Sequence, residues 1–230
     1  MVTKLPFPNR TEAGKALAQE IVRRAADDPE FGAALADTVV VALPRGGVPV
    51  GREIALALGA PLDLILVRKV GVPGHEELAA GAVVNGDDPV FVRNDSVIRL
   101  LGVSEEELAL GRARGLAEIR RRRERYFGSR PRPDLRGRAL IVTDDGLATG
   151  ATARAALRAL RRQEPKALVL ALPVAPADAI DQFRDEADSV ICLAALEDFV
   201  AVGLHYRDFR QVSDEEVIAI LDELARRSPA

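Results

Sequence analysis

Apolar residues along this chain fall into short, often β-branched runs separated by longer stretches with helical periodicity. The runs at 39–43, 62–67, 79–84, 140–142, 166–172 and 189–193 read as strands, with a shorter one at 89–92. Helical spacing covers about 12–26, 48–58, 94–101, 104–126, 153–162, 177–187 and 213–226. Asn9 or Thr11 can cap the first helix, which turns Leu17, Ile21 and Val22 to one side. Ser104 with Glu107, and Ser213 with Glu216, have the spacing of capping boxes. Asp27, Asp28 and Pro29 stop the first helix, turns are predicted at 86–89 and at Pro173 to Pro176, and a loop at 128–133. Strands alternating with helices predict an α/β fold: a mostly parallel, Rossmann-like central sheet flanked by helices. In such a sheet, ligands bind outside the carboxyl ends of the strands.

Three strand ends carry candidate chemistry. The stretch LIVTDDGLATGAT, residues 140–152, joins an apolar strand to two carboxylates, Asp144 and Asp145, and then to a loop of mostly small residues that opens a helix. Adjacent carboxylates repel, so burying both without a partner is costly; at a cleft edge they can accept hydrogen bonds from vicinal sugar hydroxyls. Gly146 and Gly150 let main-chain N–H groups converge on an anion, and the new helix adds its own unpaired N–H groups. An ordinary helix N-cap pair at a strand–helix turn is the bland alternative. The loop has no lysine, so it is not a nucleoside-triphosphate loop, and GxGxxG is absent. The second site is Arg45-Gly46-Gly47 after strand 39–43, where a bidentate cation beside two glycines suits a diphosphate; a tight turn with a solvated arginine fits as well. The third is Arg68-Lys69, followed by a glycine- and proline-containing segment poor in apolar anchors. That pair can line a site or be solvated, and His75 beyond it can move a proton or be a solvated loop residue.

Composition narrows the picture modestly. The chain has 230 residues, 48% hydrophobic and 29% charged, with a net charge of −3, so it carries no overall polyanion-binding signature. One cysteine, Cys192, excludes an internal disulfide framework and fits a cytoplasmic, reducing setting. No apolar run reaches membrane-spanning length, and the first residues do not read as a secretory signal. The run Arg120 to Arg125 is strongly basic, which suits a solvated helix end or an RNA or acidic partner. With only 4% aromatic residues overall, the clustering of Phe199, Tyr206 and Phe209 with His205 stands out; those rings can pack a flap or stack on a planar ligand.

The 140–152 string resembles the phosphoribosyl-pyrophosphate (PRPP) motif of type I phosphoribosyltransferases. The resemblance covers roughly 37–84 and 137–195. It implies transfer of 5-phosphoribose from PRPP to a nucleobase-like acceptor with release of pyrophosphate. Asp144 and Asp145 would hold the ribose hydroxyls and, through those hydroxyls or water, a Mg²⁺ ion. Gly146, Leu147, Ala148, Thr149, Gly150, Ala151 and Thr152 would wrap the 5′-phosphate. Arg45, Gly46 and Gly47 would take the diphosphate, with Arg68 and Lys69 beside it, and Asp144, Asp145 and Lys69 form the catalytic set. It further implies a flexible lid at about 70–81; the chain reads as one domain over 1–230, with a helical insertion at about 94–136 and a small hood at about 196–212 outside the shared pattern. A homodimer is compatible, a nucleic-acid partner is disfavoured by the acidic net charge, and the motif does not fix the acceptor base. The alternative on the same fold is a non-catalytic sensor of PRPP or a nucleotide.

Overall fold

The structure is a computed structural model and describes residues 5–85, 89–128, 130 and 132–227. Residues 86–88 of the turn predicted at 86–89 and part of the loop at 128–133 lie outside them. In chain order the helices are α1 (Arg10–Asp27), α2 (Pro29–Ala34), α3 (Gly47–Leu58), α4 (Asp95–Leu101), α5 (Glu105–Phe127), α6 (Ala151–Arg161), α7 (Ala177–Asp181) and α8 (Asp214–Arg227). The strands are β1 (Thr38–Ala42), β2 (Leu62–Leu64), β3 (Val67–Val72), β4 (His75–Val84), β5 (Val90–Arg93), β6 (Ala139–Thr143), β7 (Ala167–Pro176) and β8 (Ser189–Leu196).

The first sheet is the predicted one. Its five strands are all parallel, in the order β2-β1-β6-β7-β8. Successive side chains alternate between its faces. Val40, Ala42, Ile141 and Val169 pack with Leu17 and Ile21 of α1, Ile54 of α3 and Leu221 of α8. Val39, Val41, Leu140, Val142, Leu168 and Leu170 pack with Leu157 and Leu160 of α6 and with Phe183. A strand buried on both faces needs an apolar residue at every position, which is why β1 and β6 read as unbroken runs. Gly14 on α1 lies so close to α3 that a Cβ there would stand 2.9 Å from the Val50 Cα.

A second sheet was not predicted. β3, β4 and β5 form an antiparallel sheet of their own, with α5 against one face. The run at 62–67 therefore splits: β2 ends at Leu64, and the chain crosses to β3 through Ile65 and Leu66. The Asn85 side chain pins that crossing by accepting the Leu66 N–H at 2.6 Å. Gly111 and Gly115, one turn apart on α5, let the helix lie directly on Val70 and Val83.

Residues 70–81, predicted as a lid, belong to this hairpin, which turns at Pro73 and Gly74; its pairing is irregular, with register shifts around Gly71. Pro173 does not end β7. The strand runs on to Pro176, and its ladder with β8 passes over Pro173, between Leu172↔Cys192 and Val174↔Ala194. The helix predicted over 177–187 stops at Asp181. Asp28 both follows α1 and caps α2, with Pro29 in the first turn, so the predicted stop is also a start.

Candidate functional site

β1 and β6 are parallel neighbours, with Ala42 opposite Thr143, so the turns that follow them leave the sheet at the same rim. They pack against one another. A Cβ on Gly47 would stand 2.7 Å from the Thr143 carbonyl oxygen and 2.8 Å from the Asp144 Cα, and a Cβ on Gly46 would overlap the Asp145 carboxylate. The two glycines thus have a structural reason beyond anion binding: any side chain would drive the turns apart. The peptide between Pro44 and Arg45 is cis.

Asp144 and Asp145 are half-buried at this rim. The Asp144 carboxylate accepts the Asp145 N–H at 2.8 Å. Burial, followed by the neighbouring Asp145 charge, pushes the Asp144 carboxyl well above the usual carboxylate range. Burial also raises Asp145, opposed by a cation that the sequence did not single out. Arg10, at the first turn of α1, places Nε 2.7 Å from Asp145 Oδ2, donates to the Arg210 carbonyl at 2.8 Å and lies over the Phe209 ring at 3.9 Å. Tyr206 Oη donates to the Asp145 carbonyl at 2.5 Å. The N-terminal segment and the hood meet here, through a bridge between Phe7 and Tyr206. Phe7, Tyr206 and Phe209 form one ring cluster, so the packing role holds for Tyr206 and Phe209; Phe199 lies against His205. Nothing in the spacing of NRTEAG could have shown that Arg10 reaches a residue 135 positions away.

The loop after β6 is anchored at Leu147 and leads into α6. Leu147 is buried and donates its N–H to the Val174 carbonyl at 3.0 Å, while Ala148 and Thr149 are exposed at the tip. Gly146 fits beneath Val202 and Val174. Gly150 has φ of +70°, a conformation that favours glycine, and α6 starts after it with no side-chain cap. The first-turn N–H groups of α6 therefore face the loop with their dipole unopposed.

The predicted basic pair is separated. Alternation along β3 sends Arg68 toward α5, where it meets Glu118 at 2.7 Å. Lys69 faces the other way, into a cleft of about 530 Å³ that it shares with Thr149, Thr152 and Arg154. So the structure brings Lys69, but not Arg68, beside the loop. Arg45 lies 3.6 Å from Asp214 at the start of α8. His75 is exposed at the start of β4, opposite Val72. The basic run is largely paired within the molecule: Arg121 and Arg122 contact Glu118, and Arg125 contacts Asp214 and Glu215.

The model of the phosphoribosyl transferase domain matches residues 7–207 of the chain. The chain belongs to the type I phosphoribosyltransferase family. It is 44% identical over 220 residues to the Mycobacterium tuberculosis proteins named "Putative phosphoribosyl transferase Rv0571c" and "Putative phosphoribosyl transferase MT0597". That match takes in 96% of this chain but 47% of each relative, so the chain spans about half their length. The fold is also that of the crystal structure of TT1426 from Thermus thermophilus, at 39% identity and a TM-score of 0.80, over 96% of this chain and 99% of that one. Among the described residues no helix is long and apolar enough to cross a membrane, and no group of three or more His, Cys, Asp or Glu side chains converges as a metal site.

Proposed function

We propose that this domain transfers a 5-phosphoribosyl group from PRPP to a nucleobase-like acceptor and releases pyrophosphate. The observation that supports it most directly is the packing of the Arg45 turn against the Asp144–Asp145 turn at one rim. A sugar held by the carboxylates then has a cationic turn on one side and the open start of α6 on the other. The bond from the sugar C1 to the diphosphate oxygen breaks, and its electron pair leaves with pyrophosphate. A bond forms from C1 to an acceptor nitrogen, whose proton passes to solvent. Asp144 and Asp145 orient the ribose and offset the positive charge that develops at C1, while Arg45 and Lys69 offset the leaving charge. The 70–81 hairpin serves as the lid that excludes water.

The residues present fit Mg²⁺ in one way. Two half-buried carboxylates, with no third protein ligand among the described residues, suit an ion that keeps its waters and takes substrate oxygens. When bound, it would neutralise charge on the diphosphate.

The test has two parts. PRPP with Mg²⁺ is screened against purine, pyrimidine and pyridine bases for pyrophosphate release. Calorimetry then compares PRPP binding by the wild type and by Asp144→Asn/Asp145→Asn. Release with at least one base and a loss of binding in the variant support the proposal; equal binding by both proteins rules out the ribose assignment. A second reading, a non-catalytic sensor of PRPP or a nucleotide, is favoured by one observation: Asp145 is already engaged by Arg10. Tight PRPP binding without release against any base would establish it.

A further inference from the structure

The proposed function leaves the basic end of α5 unused. Asp214, the first residue of α8, stands between two guanidinium groups. Arg45, from the turn after β1, places Nη1 3.6 Å from Asp214 Oδ1. Arg125, near the end of α5, places Nη1 2.7 Å from Asp214 Oδ2. Tyr126 Oη donates to Asp214 Oδ1 at 2.7 Å. The Tyr126 hydroxyl, and after it the Arg125 and Arg45 charges, hold the Asp214 carboxyl below the usual carboxylate range. One carboxylate thus bridges a cation of the candidate diphosphate turn and a cation of the helical insertion.

We infer that Arg125 is a second diphosphate-binding cation, delivered by α5 to the Arg45 turn; the inference rests on the phosphoribosyl reading of the site. One feature sets it apart from Arg121 and Arg122. Those two are both drawn to Glu118, which also holds Arg68, whereas Arg125 pairs with Asp214 and, at 2.8 Å, with Glu215. Arg125 reaches the same carboxylate as Arg45, so an anion that arrives at one guanidinium arrives near the other. Both side chains are open to solvent, at 29% exposure for Arg45 and 47% for Arg125. The 3.6 Å separation between Arg45 and Asp214 is too long for a hydrogen bond, so the Arg45 fork is not saturated by that carboxylate. A diphosphate has more charge and more acceptor oxygens than one carboxylate, and two planar forks suit it. Asp214 holds the two cations near each other until it arrives.

The experiment is calorimetry with two probes, pyrophosphate with Mg²⁺ and ribose 5-phosphate, on the wild type, Arg125→Gln, Arg125→Lys and Arg121→Gln. Loss of one charge-assisted contact should weaken pyrophosphate binding by Arg125→Gln about tenfold, with ribose 5-phosphate changed less than about twofold. Arg125→Lys should fall between Arg125→Gln and wild type, because it keeps the charge without the fork. Arg121→Gln should match wild type. If Arg125→Gln binds pyrophosphate like wild type, or loses both ligands equally, Arg125 is a structural residue and the inference is wrong. If the wild type binds neither probe, the phosphoribosyl reading itself falls and takes this inference with it.

Discussion

The two ends of the candidate site are held in different ways. At the proposed ribose end, Arg10 and Asp145 form a tight pair, with side-chain exposures of only 10% and 14%, and the Phe209 ring and the Tyr206 hydroxyl complete the surround. At the proposed diphosphate end, Arg45 meets Asp214 loosely, at 3.6 Å, with larger side-chain exposures of 29% and 22%. The sequence shows the reverse emphasis: Arg45 is conspicuous beside its glycines, and Arg10 is one arginine among many. The difference is one of solvent. A carboxylate that has lost much of its water needs a fixed partner, whereas a cation that keeps more of its water can stay loosely paired until a ligand comes.

The comparison can be broken most severely at the acidic turn. Asp144→Asn/Asp145→Asn should lower transfer by about 10²-fold or more, since charge-assisted contacts contribute roughly 1.5–3 kcal/mol each; pyrophosphate release at saturating PRPP measures it. Next is Arg10→Met, which leaves Asp145 half-buried without its cation. Breaking a largely buried pair costs about 3 kcal/mol, so urea unfolding should show a clearly lower midpoint. Arg136→Ala, which removes an exposed pair with Glu164, should shift it by less than about 0.5 kcal/mol. Equal effects would show that burial does not distinguish the two pairs. Gly46→Ala joins the two ends in one test. Its methyl group would push the Arg45 turn off the Asp145 carboxylate, so affinity for pyrophosphate and for ribose 5-phosphate should fall together.

Smaller effects come from titration. The Arg121 hydrogen bond, and then that of Arg68, hold the Glu118 carboxyl down at about 2, against an ordinary 4.5. The group binds fewer protons when folded than when unfolded, so its contribution is present above pH 4.5 and is lost as pH falls toward about 2. Glu118→Gln should flatten acid unfolding in that window. The smallest signal is at Cys192, whose thiol burial pushes up to about 11 from an ordinary 9.0. The neutral thiol is favoured in the fold, so its contribution is present below pH 9.0 and is lost as pH rises toward about 11. Alkylation of the folded protein at about pH 8 should be much slower than that of the urea-unfolded chain.

The chain's own pattern determined the central sheet, its helices and the position of the acidic turn. Runs such as Val39–Leu43 and Leu140–Val142 read as strands buried on both faces, and the acidic pair follows the second run directly. The capping boxes at Ser104 and Ser213 were legible because their bonds span three residues, and both formed. Only the tertiary structure decided that Arg68 and Lys69 lie within β3, where alternation parts them, that the run at 62–67 divides between two sheets, and that Arg10 reaches Asp145 and Arg125 reaches Asp214. These outcomes depend on contacts across tens to more than a hundred residues, such as Asn85 with Leu66 and Arg10 with Asp145. Local periodicity reports which face of an element is apolar, but not which element will cover that face or which distant charge will settle beside a buried one.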